Sequence, residues 1–217
     1  MNKHKIAYID ESRDEISKFQ RRVYEVFDVL DFLPKGDFGN FVDELLNSGA
    51  EAFVSDFYLN EYRNDVKEVI EYSGADLIET LLNVRHEFPC FVLTSYDNAA
   101  VQRMTDVNYV YSKEILTEDK LAEKFIEKIR VQIEHYDTNI NHVSARFFDL
   151  QEKSAERDLT EDEENELLAL DTFLENSLNR RNALPTEKKN QLAIGKIDEL
   201  LSSTNELLNL LRGRNKK

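Results

Sequence analysis

An α/β region followed by an all-helical one is what the sequence predicts, and three observations predict it. Short β-branched or aromatic runs alternate with amphipathic stretches from residue 1 to about 117, the pattern of a doubly wound, five-stranded parallel sheet with helices on both faces. Past that point the strand signal stops and apolar residues recur at heptad spacing. Glycine and proline are scarce, six and three in 217 residues, and only Pro185, Gly195 and Gly213 lie beyond residue 136, as long uninterrupted helices require.

The strand candidates are Lys5–Asp10, Asp28–Leu33, Glu51–Asp56, Phe88–Thr94 and Asn108–Ser112. Between the first two, Ile16, Phe19, Val23 and Val26 or Phe27 form a stripe at spacings of three and four, opened by Ser12 as N-cap with Glu15 three residues on. Phe38–Asn47 and Asp76–Arg85 supply two more helices, and Asn98–Asp106 a short fourth. A fifth helix begins near Thr117 and runs on. Along it Ile126, Ile129, Ile133, Tyr136, Ile140, Val143, Phe147 and Leu150 follow one another at alternating spacings of three and four, an unbroken a/d seam. Thr160 and Glu163 make a capping box for a further helix through Leu167, Leu170, Leu174 and Leu178. Pro185 opens a last one carrying Ile194, Ile197, Leu201, Thr204, Leu208 and Leu211. Three helices on short connections predict an antiparallel bundle or a dimerising coiled coil, and the Ile126–Leu150 seam is the expected homodimer contact unless the later helices cover it. The expected division is 1–130 for the α/β domain and 131–217 for the helical region.

The chain carries 43 acidic and 28 basic residues, a net charge of −15. Residues 1–136 hold 27 acids and 16 bases, and residues 137–217 hold 16 and 12, so neither part is a basic module. Such an excess repels phosphate backbones and anionic lipid, so no nucleic acid and no membrane are expected as partners. The amino terminus is too short in apolar residues for a signal peptide and no run is long enough to span a bilayer, so a cytoplasmic protein is expected. Cys90, the one cysteine, sits in an apolar run and is expected to be a buried small hydrophobe. His135 and His142 lie seven residues apart on the long helix and are expected to be ordinary surface histidines.

Four features fall at the carboxyl ends of predicted strands, the edge where open α/β sheets place their ligands. They are Asp10-Glu11, Asp56, Thr94-Ser95 and Lys113. Taken singly each is bland: acids favour helix starts, and a lone lysine is most often solvated. Jointly, three carboxylates can converge on a small hard cation such as Mg2+, and Asp56 at a strand tip can act as a nucleophile that forms an acyl phosphate. Thr94 can give a hydroxyl, and Lys113 a charged contact, to the phosphoryl oxygens.

With these residues in view, the chain from 1 to about 130 resembles the receiver domain of two-component response regulators. The matching elements are Ile6-Ala7-Tyr8-Ile9-Asp10-Glu11, Val54-Ser55-Asp56-Phe57-Tyr58-Leu59, Val92-Leu93-Thr94-Ser95 and Val110-Tyr111-Ser112-Lys113. The resemblance implies a flavodoxin-like sheet in the order 2-1-3-4-5, with Asp56 as phosphoacceptor and Asp10 and Glu11 as the acidic pair at the metal. It further implies the backbone carbonyl of Tyr58 as a metal ligand, Thr94 as the switch hydroxyl and Lys113 as the phosphoryl-contacting lysine. Its partners would be a histidine kinase or phosphotransfer protein and a protein output partner; it would be a phosphoacceptor and no enzyme on metabolites. Departures are visible: Glu11 takes the place of a second aspartate, Glu114 that of the proline after the lysine, and Val110 that of the aromatic switch. Asn60–Ser73 is also longer than the family's usual loop, and Val66, Val69 and Ile70 could form a small helix there. These features favour, as alternatives, a phosphorylation-independent adaptor or a phosphate sink.

Overall fold

Strands buried on both faces need helices above and below them, and the way the side chains divide between two cores explains the architecture. A computed structural model describes residues 3–60, 68–95, 103–104 and 106–177. Five strands, β1 (His4–Ile9), β2 (Phe27–Phe32), β3 (Ala52–Asp56), β4 (Cys90–Thr94) and β5 (Val110–Ser112), form one sheet in the order β2-β1-β3-β4-β5, all pairs parallel. This is the flavodoxin-like order expected. Side chains alternate across the sheet with period two. Ala7, Ile9, Phe53, Cys90 and Val92 face α2 (Phe38–Asn47) and α3 (Gly74–Val84), while Ile6, Tyr8, Val54, Phe91 and Leu93 face α1 (Arg13–Val23) and the start of α4 (Asp119–Glu156).

Local chemistry sets the helix boundaries. The Ser12 hydroxyl accepts from the Glu15 amide, as expected of the N-cap, but the reciprocal half of the box is absent: the Ser12 amide donates to Asp10 Oδ1 at 2.8 Å, and Glu15 pairs with Lys18 instead. α1 stops at Val23, so Val26 lies beyond it, and Phe27 already begins β2. A full capping box between Ser73 and Asp76 opens α3. Arg103 then clasps the Asp76 carboxylate with two nitrogens, at 3.2 and 3.0 Å. Cys90 is buried as expected, and His135 and His142 are exposed on α4.

The small helix expected after Asn60 is not found among the described residues of that segment; 61–67 lie outside them and 68–73 are non-helical. Ile70 is drawn into the α2–α3 core, and the Tyr72 hydroxyl donates to the Lys35 carbonyl and accepts from the Lys35 amide. Gly36 donates its amide to Glu68 as well. These contacts strap residues 68–73 to the β2–α2 loop. The helix expected at Asn98–Asp106 and the one expected from Pro185 fall outside the described residues, apart from the last few positions before β5.

With 38 residues, α4 is about 57 Å long at 1.5 Å per residue. It leans on the sheet through Phe125, Ile129 and Ile133, and then Tyr136 and Ile140 join the core on the α3 side. Past the sheet it pairs with α5 (Glu161–Ser177), where Phe147 and Leu150 bury against Leu167 and Leu174 with Val143, Leu159 and Leu170 around them. Thr160 and Glu163 make the expected capping box, amide to carboxylate at 3.0 Å and amide to hydroxyl at 3.3 Å. Tyr136 rivets the hairpin to the sheet: its ring meets Phe88 edge-on at 5.1 Å and its hydroxyl donates to the Ser177 carbonyl at 2.8 Å. Among the described residues the Ile126–Leu150 seam is covered inside one chain, first by the sheet and then by α5, the alternative to a homodimer contact that the sequence left open. Among the described residues no helix is long and apolar enough to cross a membrane.

Candidate functional site

The carboxyl edge of the sheet gathers the predicted residues from four chain segments. Asp10 and Glu11 follow β1, Asp56 closes β3, Thr94 closes β4 and Lys113 follows β5. Carboxylate oxygens of Asp10, Glu11 and Asp56 all lie within 4.8 Å of one another, and all three residues are buried. Lys113 Nζ stands between two of them, 3.0 Å from Asp10 Oδ2 and 3.0 Å from Asp56 Oδ1. A cleft of about 340 Å³ opens over the group, lined by Asp10, Glu11, Asp56, Tyr58, Ser95 and Lys113, with Asp14, Glu15 and Lys18 at its α1 side.

Burial and the crowding of charge shift the titration of Asp56, Glu11 and Lys113. Burial pushes the Asp56 carboxyl up to about 7; the Lys113 ammonium opposes the rise and Asp10 adds to it. Glu11 rises to about 7 as well, chiefly by burial, with the charges of Asp56 and Asp10 behind it. Burial alone would lower the Lys113 ammonium, but Asp56 and Asp10 outweigh it and hold the group above its ordinary value. The cluster is therefore short of positive charge.

One orphaned atom points the same way. Glu11 Oε2 is buried without a hydrogen-bond partner, a costly state for a carboxylate oxygen that an incoming cation relieves. Oxygen donors only, three carboxylates and a polar cleft fit a hard divalent ion such as Mg2+. Glu11, with its extra methylene, still reaches the group that Asp10 and Asp56 form.

Not every expected residue meets the cleft. Thr94 is fully buried at the tip of β4 and is absent from the cleft lining, where its neighbour Ser95 stands exposed. Tyr58 lines the cleft and packs edge-on against Phe57 at 4.7 Å. Val110 and Tyr109 pack toward the α3 side, whereas Tyr111 turns to the opposite core against Phe91 and Phe125. Glu114 is the second residue of a 3-10 turn (Lys113–Leu116) and donates its amide to the Ser112 hydroxyl, a bond a proline at this place could not make.

Two features of the site escape inspection of the sequence. The amide of Gly74 donates to the Phe57 carbonyl at 2.8 Å, and a Cβ on Gly74 would lie 1.8 Å from the Asp56 carbonyl oxygen, so only glycine lets α3 start this close to Asp56. Tyr8, two residues before Asp10 and thus on the same side of the strand, donates its hydroxyl to Asp10 Oδ2 at 3.1 Å. Burial, then the charges of Asp10 and Asp56, raise this phenol well above its ordinary value and keep it a donor. A glycine after a loop and an aromatic residue in a strand are too common to have signalled either role.

No protein-family model matches the chain, and no curated protein matches it. Solved structures do. The BeF3-activated receiver domain of DrrB, a Thermotoga maritima protein, is 17% identical over 61% of this chain and 99% of that one, with a TM-score of 0.44. A signal receiver domain of an HD domain-containing protein from Pseudomonas fluorescens Pf-5 is 13% identical over 62% and 97%, TM-score 0.45. The response regulator RcsB in its complex with DNA is 13% identical over 85% and 94%, TM-score 0.43.

Proposed function

We propose that this chain is a two-component response regulator that accepts a phosphoryl group on Asp56 and uses it to alter protein contacts of its helical region. The observation that carries the reading is the joint placement of Asp10, Glu11 and Asp56 within 4.8 Å, with Lys113 bridging Asp10 and Asp56 and one Glu11 oxygen left unpartnered. No ordinary stabilising contact explains three buried carboxylates around a single ammonium.

In this reading an Asp56 carboxylate oxygen attacks phosphorus in line with the bond to a kinase imidazole; the P–N bond breaks, its electron pair stays on the imidazole, and the product is an acyl phosphate. Asp10, Glu11, Asp56 and the Tyr58 carbonyl would hold Mg2+, which when bound neutralises charge on the phosphoryl oxygens. Lys113 supplies a fixed ammonium to another oxygen of the same group. The added charge draws Lys113 from Asp56 toward the phosphoryl group, and Thr94 leaves its buried position to donate its hydroxyl. Lys113 begins the 3-10 turn whose Ile115 and Leu116 pack on the α1 side of the sheet, and α4 follows directly. A shift of that turn thus reaches the hairpin through α4. The output partner is a protein in this reading, because the charge of −15 opposes a nucleic-acid surface. The domain division at residue 130 belongs to the same proposal, with the helical region as output.

Incubation with Mg2+ and acetyl phosphate, followed by intact mass, tests it. The wild type gains the mass of one phosphoryl group and Asp56→Asn does not. A wild type that stays unmodified, with a partner contact unaffected by Asp56→Asn, favours the adaptor reading, for which the buried Thr94 and the acidic Glu114 next to Lys113 in sequence speak.

A further inference from the structure

The three carboxylates of the cluster are held very differently. Glu11 leaves one oxygen with no partner, and Asp56 Oδ1 meets Lys113. Asp10 instead has both oxygens engaged: Oδ1 accepts from the Ser12 amide at 2.8 Å, and Oδ2 accepts from Lys113 Nζ at 3.0 Å and from the Tyr8 hydroxyl at 3.1 Å. Of the two side-chain donors, Tyr8 is fully buried whereas Lys113 is partly exposed. The Tyr8 ring stacks on Phe19 of α1 with centroids 4.0 Å apart and planes within 6°.

We infer that Tyr8 is a positioning residue of the carboxylate cluster, its hydroxyl holding the Asp10 side chain in the orientation in which the cluster takes a divalent cation. The inference rests on the reading above only in taking the cluster to bind such a cation. Residues i and i+2 of a strand share a face, and a tyrosine spans the distance to the next carboxylate on that face, whereas an aliphatic residue at position 8 would fill the same core with no donor. Lys113 cannot do this alone, since its ammonium is shared with Asp56 and moves with the charge state of the cleft. The Ser12 amide fixes one oxygen but leaves the carboxylate free to swing about it. Adding the Tyr8 hydroxyl pins the second oxygen to the α1 wall, so that cation binding need order only Glu11 and Asp56. Groups that orient metal ligands in this way typically carry about 10–100-fold in metal affinity.

The test compares full-length wild type, Tyr8→Phe and Phe19→Leu by Mg2+ titration calorimetry without any phosphodonor, with thermal melts alongside. Tyr8→Phe keeps the stack and removes the hydroxyl, and its Mg2+ dissociation constant rises about tenfold. Phe19→Leu loses the stack and keeps the hydroxyl; it melts at a lower temperature, and its Mg2+ dissociation constant rises by only a few-fold, less than in Tyr8→Phe. Wild-type affinity in Tyr8→Phe overturns the role of Tyr8 and leaves the cation site standing. Equal loss of affinity in Phe19→Leu overturns it too, because packing alone would then account for the effect. A wild type that binds no Mg2+ overturns the cation site and this inference together.

Discussion

Replacing Asp56 by asparagine should make the metal-free protein more stable, and the gain should depend on pH in a stated direction. The Asp56 carboxyl is raised from the ordinary 3.8 to about 7 by its burial beside Asp10. The folded protein therefore keeps a proton that the unfolded chain gives up, between about pH 4 and pH 7. Where the native state binds more protons, stability falls as pH rises. The penalty is small near pH 4, grows through pH 7 and is complete above it. At about 1.4 kcal/mol for each tenfold in proton affinity the ceiling is about 4 kcal/mol. Because Asp10, Glu11 and Lys113 respond together and asparagine still offers Lys113 a carbonyl oxygen, about 2 kcal/mol is the expected gain. Urea unfolding with EDTA at pH 5 and pH 8 reads it: Asp56→Asn exceeds the wild type by about 2 kcal/mol at pH 8 and by about 1 kcal/mol or less at pH 5. Saturating Mg2+ should close or reverse the gap, since a ligand at 100 times its dissociation constant adds about 2.7 kcal/mol to the protein that binds it. A variant less stable than the wild type at pH 8 without metal, or a gain that does not vary with pH, refutes the reasoning.

Two further outcomes test the packing around the site and the hairpin. Gly74→Ala forces a methyl to 1.8 Å from the Asp56 carbonyl oxygen and 2.6 Å from the Ser55 hydroxyl, so α3 must retreat; urea unfolding should show a loss of about 3 kcal/mol, and Mg2+ binding should weaken as the Asp56 backbone shifts. Phe147→Ala empties the core between α4 and α5, far from the cleft, and should cost about 3–5 kcal/mol in urea while Mg2+ affinity stays at the wild-type level.

Much of this was legible in the chain because it is local. The N-caps at Ser12 and Thr160 depend on residues three apart, and each strand lies within a residue or two of where its β-branched run predicts it. The acids and the lysine of the site were legible as strand-end residues, since any doubly wound sheet brings those ends to one edge. Other features depend on what happens to lie opposite. The stretch after Asn60 has helical spacing in Val66, Val69 and Ile70, yet 68–73 is non-helical: Ile70 gains a core and Tyr72 a loop to bind. Nothing near Thr94 reveals that it is buried away from the cleft while Ser95 lines it.

The Ile126–Leu150 seam draws the division most clearly. By itself the sequence determined that one face of a long helix must leave water, since the heptad period is a property of the residues in order. What covers that face was decided only by the tertiary structure. Ile129 and Ile133 meet the sheet, Tyr136 and Ile140 meet the opposite core, and Phe147 and Leu150 meet α5. Apolar burial is non-directional, so a stripe accepts any surface of matching shape, and only the path of the rest of the chain selects one. The same holds at the site: residue types and strand ends foretold an acidic edge with a lysine. That Lys113 reaches Asp10 across 103 residues, that Tyr8 pins the same carboxylate and that a Glu11 oxygen stands alone are facts of distance, which the chain acquires on folding.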